Sequence, residues 1–329
     1  LGTVDPELRV LMVDERPRTP TDPGDAVRAQ LGAPPDEIYA RAGLIASEHS
    51  LLGLGAGTLI STTLAVLLQG SLATGLVRPA LAASAGLLAC GVGVALLGRH
   101  LGLGGSGRRP AALPRTFRPV VALGAVTSVL GWLALALVSQ ESATDLPSYP
   151  GALDTAGFIV MATASLGAAV PLLAALGLRA IAAVDGGAPM PVAQLFQATG
   201  HGMLGGLGLL VLIAFASGAM GLDLKNAMGA AVTTACAHTL LWSAWLLRGS
   251  RRRMDRMRKV GLRIALLERG HSLAAATTVV GLVAPGLVVM ADLLLGRDTG
   301  LVVACAVLAV SNHAMRYAWV LLALRRGGD

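Results

Sequence analysis

The sequence predicts an all-α polytopic membrane protein of about eight transmembrane helices. Long apolar runs fill the chain from about residue 46 to residue 324, at a mean hydropathy of +0.68. Four of the breaks between runs are strongly basic. The runs lack the period-two alternation of barrel strands. A hydrocarbon core of about 30 Å takes about 20 apolar residues to span as a helix. Inside it every backbone polar group must be bonded within the segment, which leaves helices as the fold.

Residues 1–45 are polar and carry Pro17, Pro20, Pro23, Pro34 and Pro35, which favours an extended cytoplasmic tail. No apolar stretch in it has the length of a signal peptide. Such a tail either docks a soluble partner or has no role, and the residues support both. The membrane domain, 46–329, reads as spans 46–68, 78–98, 118–139, 155–183, 196–217, 226–247, 271–295 and 299–324. Pro171 and Pro285 fall within the fourth and seventh spans, where each removes a backbone hydrogen bond and should kink its helix. The 42 glycines favour close helix contact. Cys90, Cys236 and Cys305 all lie in apolar runs at unrelated spacings, the pattern of small core residues and not of a disulfide or metal framework.

Charge sets the orientation. The loop after span two carries Arg99, Arg108, Arg109, Arg115 and Arg118, and 248–270 is dense in arginine from Arg248 to Arg269. Arg325 and Arg326 follow the last span, whereas the opposite loops hold Glu141, Asp145, Asp154, Asp223 and Asp298. With eight spans all the basic segments fall on one side, so both termini are expected in the cytoplasm of a bacterial-type inner (plasma) membrane. The net charge of +7 then reports topology and contact with anionic lipids, and no nucleic-acid partner is implied. Within 251–269, Met254, Met257, Val260, Ile264 and Leu267 form an apolar stripe opposite a basic face, which suits an amphipathic helix on the cytoplasmic leaflet.

The six histidines carry the chemical signal. His49, His201 and His271 each begin an odd-numbered span, and His100 closes span two. His238 and His313 sit about halfway through spans six and eight, each followed at i+4 by an aromatic residue, Trp242 or Tyr317. Spans five–six and seven–eight therefore look like duplicated helical hairpins. Polar groups at membrane depth are expensive and need a partner or a task. One reading makes the histidines axial ligands of one or two b-type haems. His238 and His313 would clamp one near the midplane, and His201 with His271, and His49, would form a second near the cytoplasmic surface. Glycines around His201 would let a flat macrocycle approach, and Arg316 would pair with a propionate. Glu48 beside His49 would handle protons in quinone chemistry or merely complement a helix dipole. A proton or substrate pathway, and histidines bonded to Thr234, Ser311 or Asn312 for structure alone, remain open alternatives.

The run Gln197-Ala198-Thr199-Gly200-His201-Gly202-Met203-Leu204-Gly205-Gly206 resembles the Gln-x-x-Gly-His helix start of membrane haem proteins related to oxidase subunit I and the NnrS family. That resemblance implies a haem or metal ligand at His201. With eight spans in place of about twelve, and no copper-site histidine cluster, oxygen reduction is not implied. Leu146-Pro147-Ser148-Tyr149, with Phe158, Thr163 and Leu166-Gly167, resembles the membrane anchor subunits of molybdenum (DMSO-reductase-type) respiratory enzymes, which implies quinol binding. Both resemblances imply an electron-transfer subunit with soluble or membrane redox partner subunits. A small-molecule or ion transporter, or a non-catalytic anchor, is the alternative. The residues for which the chemistry argues are His49, His201, His238, His271, His313 and Arg316. No phosphate loop, Cys-x-x-Cys or nucleophile elbow is present, so any catalysis is expected in a partner.

Overall fold

A computed structural model describes residues 35–69, 74–101, parts of 166–174, 191–218, 220–259, 265–297 and 299–324. Among them the chain is all-helical. The helices are α1 (Pro35–Gln69), α2 (Thr74–His100), α3 (Pro191–Ala216), α4 (Leu222–Lys259), α5 (Ala265–Thr278), α6 (Ala284–Leu295) and α7 (Thr299–Leu324). A π turn, Val279–Val283, joins α5 to α6. Five helices are long and apolar enough to cross a membrane: Pro79–Gly98, Phe196–Ala216, Leu224–Arg252, Glu268–Leu295 and Thr299–Leu321. They coincide with expected spans two, five, six, seven and eight. Span three, most of span four, Pro171, the basic residues 108–118, the terminal arginines and the Leu146–Tyr149 motif lie outside the described residues.

The helix α1 starts well before the expected boundary at residue 46. Pro35 is its first residue, a position where the missing N–H costs nothing and φ is already helical. Ala42 and Ala46 pack with Ile45 against Val320, Tyr317 and Leu321 of α7, which ties this first stretch into the bundle.

Three helices, α1, α3 and α7, pack mutually and form the centre. Glycine permits the closest crossing. A Cβ at Gly57 would overlap the Gly202 carbonyl, and one at Gly206 would overlap the backbone of Gly57 and Thr58. Gly53 likewise meets Gly202, so α1 and α3 run parallel through facing small-xxx-small motifs. The pairs Gly205 with Asn312 and Ala198 with Arg316 make α7 antiparallel to α3. On the outside of α1, α2 runs antiparallel, and Ser84 Oγ donates to the Gly55 carbonyl at 2.7 Å. The helix α6 packs on both α4 and α7. These directions bring the N-terminus of α1, the ends of α2 and α4 and the end of α7 to one side of the bundle.

The seventh span is interrupted as Pro285 required, but by a π turn. Proline at 285 offers no N–H to the carbonyl of Gly281, and its ring crowds that turn. The ladder widens instead, and the Ala284 N–H bonds to the Val279 carbonyl five residues back. The basic segment after span six also differs from expectation. Arg248–Lys259 prolongs α4 as one 38-residue helix, residues 260–264 lie outside the described residues, and α5 begins at Ala265. Arg-rich sequence propagates a helix well, and no proline or glycine pair stops it.

Candidate functional site: a buried polar cluster among the inner helices

Two i, i+4 polar pairs face each other inside the apolar bundle. On α3, Gln197 and His201 are 5% and 1% exposed; on α7, Asn312 and Arg316 are 1% and 4% exposed. Arg316 Nη2 donates to the Ala198 carbonyl at 2.5 Å, and the guanidinium charge bears on the His201 ring. A Cβ at Gly53 would lie 3.4 Å from Arg316 Nη2, so the glycine of α1 makes room for the guanidinium. Glu48, His49 and Ser50 are all buried in α1 about a turn away. Three consecutive buried residues point three ways around a helix, so α1 is enclosed by protein there.

Several buried polar atoms, most of them in this cluster, have no hydrogen-bond partner among the described residues. They are Gln197 Nε2, both ring nitrogens of His201, both side-chain amide atoms of Asn312, Arg316 Nε, Ser50 Oγ, Ser243 Oγ and Trp319 Nε1. An unmet buried polar atom costs about 1–3 kcal/mol. The set is dominated by N–H donors, so its complement is a ligand that presents acceptors. Elsewhere the bundle meets its polar groups locally: Thr58, Thr62, Thr63, Thr234 and Thr239 each donate to the carbonyl four residues back.

The expected site residues separate. At similar depth, only His201 points inward: His238 and His313 lie on exposed faces of α4 and α7. The His238 Nε2 accepts from Trp242 Nε1 at 3.1 Å. Neither side chain is enclosed by the described helices. The second expected grouping also comes apart. His271 Nδ1 lies 3.3 Å from Ser250 Oγ, whereas Gly200, next to His201, abuts Thr239 on the same helix α4. Ser250 is 11 residues beyond Thr239, about 16 Å along the helix. His49 is buried in α1, and His100 is exposed. The glycines around His201 are occupied by protein: Gly202 meets Leu173 and Gly53, Gly205 meets Leu54 and Asn312, and Gly200 meets Thr239. Arg316 turns to α3, so it is not poised beside His313.

Asp292, the other charge within a span, has a structural task. Its Oδ2 accepts the Leu301 N–H at 2.8 Å and so ties the first turn of α7 to the end of α6, where Gly296 adopts φ 66°. Cys236 and Cys305 are buried in the main apolar cluster, as expected for core residues, whereas Cys90 is exposed on α2, against that expectation. No group of three or more His, Cys, Asp or Glu arranged for a metal occurs among the described residues.

Gln197 and Asn312 were not singled out as site residues from sequence. The available signal was their spacing, since each lies four residues before His201 or Arg316, on the same face of its helix. Comparison with protein-family models, curated proteins and solved structures yields no match.

Proposed function

We propose that this chain is a membrane-spanning electron-transfer subunit whose inner helices bind a quinone headgroup at Gln197, His201, Asn312 and Arg316. The observation that carries the reading is the set of buried donors on facing helices that have no partner among the described residues. A quinone presents carbonyl acceptors on an apolar ring, the chemistry those donors match. Reduction to quinol takes two electrons, from the redox centre of a partner subunit, and two protons. The haem reading has less support, because His238 and His313 lie on exposed faces of their helices. The basic ends of α2 and α4 on one side favour a cytoplasmic location for that side and for both termini, in a bacterial-type inner membrane. Two further crossings between α2 and α3 would make eight.

Equilibrium dialysis of a short-chain benzoquinone against the detergent-purified chain tests this. Saturable one-to-one binding is expected, weakened about tenfold, or about 1.4 kcal/mol, by Gln197→Leu or Arg316→Gln. An intact, helical protein that binds no quinone overturns it. A sharp α band in the reduced-minus-oxidised visible spectrum would restore haem as the cofactor. The interrupted α5–α6 span favours a second reading, a small-molecule or ion transporter. Flux into liposomes without a redox partner would select that one.

A further inference from the structure

We infer that the outer face of α4 holds an anionic phospholipid, with its headgroup on Arg248 and Arg252. This inference does not depend on the quinone reading. From His238 the residues Trp242, Trp245, Arg248 and Arg252 follow at 4, 7, 10 and 14 positions, which places them on one helical face. His238, Trp245, Arg248 and Arg252 are exposed, and Trp242 is half-buried. The ring of Phe196, also exposed, stacks on Trp242 with centroids 5.0 Å apart. The stripe is thus aromatic in its inner half and cationic in its outer half.

Length sets the depth. The apolar stretch Leu224–Arg252 has 29 residues, a rise of about 43 Å. A bilayer with its headgroup regions is about 40–45 Å thick. With Leu224 at one boundary, Arg248 and Arg252 reach the headgroups of the other, and Trp245 lies about 10 Å deeper than Arg252. Acyl chains against the aromatic rings and a phosphate between two guanidinium groups match this order of chemistry. Guanidinium pairs well with phosphate through paired N–H donors, and tryptophan favours the interfacial zone. A zwitterionic lipid would lack the net negative charge that the two arginines select.

The test uses the full chain, reading retained lipid by native mass spectrometry and tryptophan quenching by brominated lipids in mixed vesicles. Phosphatidylglycerol should be retained over phosphatidylcholine, and brominated phosphatidylglycerol should quench more strongly. Arg248→Gln with Arg252→Gln should weaken that preference roughly 25-fold, about fivefold for each arginine. Trp245→Ala should reduce quenching while leaving the fold intact. Arg297→Gln, at the exposed α6–α7 turn on the opposite side, should change nothing. Equal loss from Arg297→Gln, or no lipid preference in the unaltered chain, would overturn the inference in favour of diffuse surface charge. Retention of an acidic protein by the same arginines, with no lipid preference, would overturn it as well.

Discussion

On α7, His313 and Arg316 are three residues apart, yet one lies on an exposed face and the other is sealed between three helices. The same contrast holds between the inner helices and the outer ones. The helices α1 and α3 bury polar groups and glycines along most of their length. By contrast, α2 and α6 turn Val92, Leu96, Leu287 and Leu294 outward. In lipid no hydrophobic force drives one apolar helix against another, so the centre forms where small residues permit contact and polar residues gain partners. The outer helices need only present apolar surface to acyl chains. A buried arginine belongs to the first environment, and a lipid-facing tryptophan to the second.

Disrupting the glycine crossing should have the largest effect. Gly57→Leu or Gly206→Leu drives side-chain atoms into backbone, beyond the 1–3 kcal/mol of ordinary overpacking. Loss of folded protein is expected, read as monodisperse yield in size-exclusion chromatography, whereas Gly86→Leu on α2, with open space around it, should be tolerated.

The polar cluster tests whether the inner region serves function or stability. Replacing Gln197 or His201 by leucine removes a polar group unmet among the described residues, so stability in thermal unfolding should hold or rise, by up to about 1–3 kcal/mol per group, while quinone binding falls. A drop in both together would make the cluster structural.

Asp292 offers an intermediate case at the edge of the bundle. Asp292→Ala should cost about 1 kcal/mol by freeing the Leu301 N–H, measurable as faster hydrogen exchange in the first turn of α7. Smallest of all should be His238→Ala and His313→Ala, each within about 0.5 kcal/mol in thermal unfolding and without effect on quinone binding. A large effect of either would mean that the outer face is covered in the assembled complex, and would revive a shared ligand site there.

Much of this architecture was legible in the residues. Apolar runs separated by arginines located every described span to within a few residues. Pro285 announced the break in the seventh span, although the π turn depended on how the ladder relaxed around it. The start of α1 was missed because proline-rich sequence reads as extended, whereas Pro35 in the first turn is compatible with a helix. The break between Arg248 and the next span was read as a surface helix, because sequence shows an amphipathic stripe but not the direction in which the helix continues.

Sequence alone determined the class of the protein, an all-helical chain with runs long and apolar enough to cross a membrane. That class follows from run length and rise per residue, which are one-dimensional. Which way each histidine points was decided only by the tertiary structure. A membrane helix is apolar nearly all round, so it carries little signal for its inner face. That face is set by which neighbour can approach: Gly53 and Gly57 bring α1 onto α3, and this enclosure turns His201 and Arg316 inward while His238 and His313 remain outside.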